Sequence, residues 1–167
     1  MNKLEIEAEL DETHRRFIAL VESISEVNYP LPTDNPVWTV GDILFHITLG
    51  PRAIALEAWM IVHARGLFGV IMRHFPSHLF NSVNAWFGRG RNQRVSRQGL
   101  LKAYGKAHIA IKSGLKRMRE EDLGKSVVYP LAFVSDLAGE VTSERLFRYV
   151  KGHFEAHEGQ LRQDSLV

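Results

Sequence analysis

Apolar residues recur at helical spacing in four stretches of the chain. Across residues 3–27, Leu10, Phe17, Val21 and Ile24 return at intervals of seven, four and three with charges between them, which is the spacing of one helix face. Three prolines within residues 28–36 end that helix, because proline lacks an amide donor and fixes φ. Thr39 followed three residues later by Asp42 predicts a capped start for a second helix, with Ile43, His46, Ile47, Gly50 and Ile54 facing inward. Pro51 falls inside this helix, removes the bond to the Ile47 carbonyl and predicts a kink one turn after His46.

A third helix carries Leu101, Tyr104, His108, Ile111, Leu115 and Met118 in strict three-four alternation. The fourth, over residues 142–162, carries Leu146, Val150, His153, His157 and Leu161. Val127-Val128-Tyr129 is β-prone but too isolated to seed a sheet, so residues 123–141 read as loop. The fold class expected is all-α, a four-helix bundle. Residues 66–97, broken by Gly66, Gly69, Pro76, Gly88 and Gly90 and rich in Phe and Trp, read as a helical insertion or lid between helices two and three. The insertion has too few residues for a core of its own, so residues 1–167 are expected to form a single domain.

Composition narrows the function classes. At 167 residues and 45% hydrophobic content, the chain can bury a sizeable core, which argues against intrinsic disorder. It contains no cysteine, so disulfides, thiolate metal ligands, iron-sulfur clusters and a cysteine nucleophile are excluded. Any metal must be held by His, Asp or Glu. The opening MNKLEIEAEL has neither the basic flank nor the apolar centre of a signal peptide, and no 18-residue apolar run occurs. A cytoplasmic protein without a membrane span is expected.

Net charge is +2, too small to imply a nucleic-acid or membrane partner. From Trp86 to Arg119 every charged residue is basic, a pattern that fits a solvated helix face. Interleaving of Trp86, Phe87 and Tyr104 with those arginines lacks any recognised nucleic-acid motif. A membrane-surface role for residues 66–88 is no better supported, since Phe75 and Phe80 can pack on the bundle.

The eight histidines carry the candidate chemistry. His153 and His157 are four apart, so they share one helix face a turn from each other. Both lie in the inward stripe of the last helix, as His46 does in helix two. Three buried imidazoles each cost about 1 to 3 kcal/mol if left without partners. One divalent ion would satisfy all three, and three His with an open position suits catalytic zinc and also nickel, iron or manganese. Binding should then weaken as pH falls through about 6.5, where free histidine protonates.

Against this stands the ordinary alternative that each is a satisfied core histidine. His14 and His108 also fall on helical stripes, as ligands or as hydrogen-bonding groups of the interior. His63, His74 and His78 read as surface or lid residues. Glu155 is rotated roughly 200° from His153, so the segment is not an HExxH zincin motif. Glu158 lies nearer the histidine face and reads as an exposed helix charge.

Residues 37–47, VWTVGDILFHI, resemble the helix-two signature of the DinB/YfiT-like superfamily: a Trp, a Ser or Thr cap, an acid, then Leu-x-His. Residues 150–161, VKGHFEAHEGQL, are similar to its closing H-x-x-x-H followed by Gln-Leu. The resemblance implies an up-down-down-up bundle binding one divalent metal through His46, His153 and His157. It also implies a range of activities, including thiol-dependent S-transferases and isomerases that use low-molecular-weight thiols; a DNA-repair polymerase activity is not implied.

Such a site can activate water for hydrolysis or hold a thiolate for transfer to an electrophile. Lacking cysteine, the chain would take its sulfur from a small thiol cosubstrate. The sequence thus points to a divalent-metal-dependent small-thiol S-transferase or hydrolase acting on a small-molecule substrate. A non-catalytic metal- or ligand-binding bundle is the alternative. A homodimeric partner is left open.

Overall fold

The structure, a computed structural model, describes residues 2–74, 95–130 and 137–161. Its helices are α1 (Lys3–Ser23), α2 (Val40–His63), α3 (Arg65–His74), α4 (Arg97–Arg117) and α5 (Ser143–Glu158). Each bundle helix begins on a side chain that accepts an otherwise orphaned backbone N–H. Asn2 accepts from Leu4, Thr39 from Asp42, Ser96 from Gly99 and Thr142 from Arg145. At α2 the cap is reciprocal, since Asp42 Oδ2 accepts from the Thr39 amide at 2.9 Å. Pro51 is buried inside α2, which continues through it to His63.

Pairwise contacts fix the helix directions. Glu7 meets Lys112, Asp11 meets His108, and Phe17 stacks on Tyr104, so α1 and α4 are antiparallel. Glu5 and Glu9 meet Arg148 while Arg16 meets Glu155 and Glu158, so α1 and α5 are parallel. The start of α2 shares one core cluster with Phe17 and Val21, Leu100 and Tyr104, and Phe154. Its later turns, from Ile54 to Ile61, share the other with Ile6 and Leu10, Ile111 and Leu115, and Leu146 and Phe147. Helix α2 therefore runs with α4 and against α1 and α5. The order is up-down-down-up.

Two expectations need correction, the loop over residues 123–141 and the inward stripes. The segment read as loop contains β1 (Ser126–Tyr129), paired antiparallel with β2 (Gly139–Thr142) from Ser126 opposite Thr142 to Tyr129 opposite Gly139. Gly139 takes φ +78°, open to glycine without strain, and α3 packs on β1. The isolated apolar run found a partner that lacks an apolar pattern of its own.

The inward stripes are also displaced. Leu100 and Ala107 are buried on α4 where Leu101 and His108 were expected. On α5, Phe147 and Phe154 are buried and the two histidines flank them. The described part of the insertion, α3, seats Phe68 and Met72 in the cluster of Ile61 and Tyr129, at the far end of α2 from His46. It does not cover the histidines. Residues 75–94, with His78 and the aromatics Phe75, Phe80, Trp86 and Phe87, and Arg162 at the expected end of the last helix, lie outside the described residues.

Candidate metal centre

His46 is set on the second turn of α2 by the Thr39–Asp42 cap, and His153 and His157 project from successive turns of α5. Because α2 and α5 are antiparallel, the three rings converge at one end of the bundle. One nitrogen from each lies within 4.8 Å of the other two. Nε2 of His46 and Nε2 of His153 are 3.0 Å apart. Ligand nitrogens about 2.1 Å from a tetrahedral ion are separated by about 3.4 Å, so small ring movements would bring all three into a first coordination shell. Such a group could hold a metal ion.

The close approach depends on Gly50. A Cβ there would stand 2.9 Å from Nδ1 and 3.0 Å from Cε1 of His153, closer than packing allows. Glycine lets the His153 ring lie against the α2 backbone one turn beyond His46.

A polar and aromatic setting fixes the other rings. Nδ1 of His157 donates to Gln160 Oε1 at 3.1 Å when it carries the proton, which leaves Nε2 with its lone pair. The Gln160 carbonyl in turn accepts from the Asp34 amide, tying the α1–α2 loop to the end of α5. That loop places Trp38 over the site, its carbonyl accepting from the Thr33 hydroxyl. The indole lies 4.6 Å from the His46 ring and 5.5 Å from the His157 ring.

Electrostatics keep the rings neutral. Burial first, and the neighbouring His157 second, push His46 down to about 3. Burial, then His46 and His157, hold His153 well below the ordinary histidine value. Burial also lowers His157, partly opposed by its bond to Gln160. Neutral imidazoles offer lone pairs to a metal. Protons would compete for them only below pH 6.5, lower than the sequence alone suggests.

Glu155 and Glu158 turn from the triad toward α1, where both pair with Arg16 at 2.6 and 2.5 Å. The Arg16 guanidinium also sits 5.0 Å from the Phe154 ring centre. His14 and His108 are not part of the triad. They stack on each other with centres 4.3 Å apart between α1 and α4, and His108 Nε2 lies 2.9 Å from Asp11. His63 and His74 are exposed, as expected.

Sequence reasoning placed the three ligand candidates but gave no role to Trp38, Gly50 or Gln160 at the site. Trp38 and Gln160 stood within the quoted motifs. Gly50 beside Pro51 was the only trace of the close helix approach.

Fold and site together define an up-down-down-up helical bundle with a histidine triad at one end, the DinB-like fold. No family model matches the chain, and no curated protein matches it in sequence. Among solved structures it is similar to the crystal structure of a mycothiol-dependent maleylpyruvate isomerase, with a TM-score of 0.69 and 8% identity. The match covers 96% of this chain and 61% of that one, so the chain spans less than two thirds of its neighbour. The likeness is one of fold.

Proposed function

We propose that the protein is a divalent-metal-dependent enzyme that acts on a small molecule together with a low-molecular-weight thiol, and that His46, His153 and His157 are the metal ligands. The observation that carries this reading is the convergence of three neutral imidazole nitrogens within 4.8 Å. The fold it shares with a thiol-dependent isomerase supports the thiol.

A bound divalent ion would supply positive charge that stabilises a deprotonated thiol or water at neutral pH. The chain's own residues prepare for this. Burial keeps the three imidazoles unprotonated, Gly50 admits His153, and Gln160 receives the proton-bearing nitrogen of His157. Three neutral ligands leave the ion's charge uncancelled, which favours an anionic fourth partner such as a thiolate. The chain has no cysteine, so that sulfur comes from a cosubstrate. Imidazole donors accommodate zinc, nickel or iron and tolerate manganese.

The test is an assay of metal-loaded protein with a small electrophile, with and without added thiol. Consumption that requires the thiol supports the transferase reading. Product formed without thiol points to hydrolysis, and stoichiometric metal with no turnover across several thiols points to a binding protein.

A further inference from the structure

A neutral imidazole carries one N–H. If His46 offers its Nε2 lone pair to an ion, its proton sits on Nδ1. That atom is buried and has no hydrogen-bond partner among the described residues. A buried donor left in this state costs about 1 to 3 kcal/mol, so metal binding would create an unsatisfied group unless an acceptor is at hand.

One stands a single helical turn earlier. Asp42 is 4% exposed, and its Oδ1 is likewise buried and unpartnered among the described residues. Positions four apart are neighbours on a helix face, and side chains lean toward the helix N-terminus, which tilts His46 back toward Asp42. The other carboxylate oxygen, Oδ2, is already held by the Thr39 amide at 2.9 Å and the Thr39 hydroxyl at 2.8 Å. The cap therefore orients the carboxylate and leaves one oxygen over.

We propose that Asp42 is a positioning residue for the metal centre: its Oδ1 accepts the Nδ1–H of His46 and so turns the Nε2 lone pair toward His153 and His157. This rests on the metal-binding reading above. In the structure His46 Nε2 leans instead on His153 Nε2 at 3.0 Å, closer than two imidazole ligands of one ion stand, so the rings must shift when both hold an ion. Trp38, beside the His46 ring, also has a buried indole N–H with no partner among the described residues. The cap residue thus has two tasks, starting the helix and aiming its histidine.

Zinc affinity by chelator competition separates those tasks. Thr39→Ala weakens the cap but leaves the carboxylate, whereas Asp42→Ala removes both and Asp42→Asn leaves one acceptor oxygen for two sets of donors. The dissociation constant for zinc should rise about 10- to 100-fold in Asp42→Ala, less in Asp42→Asn, and least in Thr39→Ala, where the backbone amide still holds Oδ2. In zinc-loaded wild type the His46 Nδ1–H proton should appear downfield and exchange slowly by NMR, and Asp42→Asn should move it upfield.

Wild-type affinity in both Asp42 variants overturns the role of Asp42 while leaving the triad standing. Failure of the triad itself looks different, as wild type that binds no zinc or His46→Ala that keeps it, and it removes the basis of the proposal as well.

Discussion

The bundle holds two groups of histidines, and their surroundings separate them. His14 and His108 stack face to face in the α1–α4 seam, where Asp11 approaches His108 and Lys112 bridges Asp11 and Glu7. Charges of both signs already answer these rings. Burial lowers His108, and Asp11 partly restores it. Among the described residues no carboxylate is bonded to His46, His153 or His157, and Nδ1 of His46 has no partner there. Both groups lie on helical stripes in the sequence. A completed set of partners marks a structural group, whereas lone pairs converging without one mark a site for something not encoded in the chain.

Substitution should divide the two groups most sharply. His46→Ala, His153→Ala and His157→Ala should each weaken metal binding by more than about 100-fold, because two imidazoles replace three. His14→Ala and His108→Ala should leave affinity within about twofold. Competition titration of all five variants checks this, and equal losses in both groups would erase the distinction. His108→Ala should still lower the melting temperature by about 3 °C, for about 1 kcal/mol of lost contacts.

A smaller effect is expected from Gly50→Ala. Alanine favours a helix over glycine by about 1 kcal/mol, but its Cβ would press on the His153 ring. Metal affinity should fall about tenfold without a matching loss of folding stability. A variant that binds metal as well as wild type would show that His153 has room to spare.

The groups should also differ in acid. The unfolded chain protonates His46 near 6.5, whereas the folded protein holds it neutral down to about 3. Between those values the unfolded state binds more protons, so metal-free stability should fall as pH drops from about 6.5 toward 3. The slope from His46 is at most about 1.4 kcal/mol per pH unit, and His46→Ala should flatten it. For the stack, Asp11→Asn should lower the His108 pKa further, since the carboxylate raises it. NMR titration of the ring protons reads that smallest effect.

The helices and the triad were legible because each has a local signature. Periodicity marks Phe17, Val21, Ile43, Ile47, Ile111 and Leu115, all of them buried, and Thr39 with Asp42 announces the α2 cap. His153 and His157 share a face by arithmetic alone. The less legible parts depend on distant pairing. Val127 to Tyr129 becomes a strand because residues 139–142 pair with it. Phe147 and Phe154 displace the histidines from the α5 core line, a rotation of the helix that no single stripe fixes. Gly50 matters only through a ring contributed about a hundred residues later.

The most direct test of the central claim is elemental analysis of the purified protein beside its His46→Ala, His153→Ala and His157→Ala variants. One divalent ion per chain in wild type, lost from each variant while His108→Ala retains it, is the result expected. A wild-type protein that stays metal-free under metal-replete conditions, or variants that keep a full ion, would contradict it.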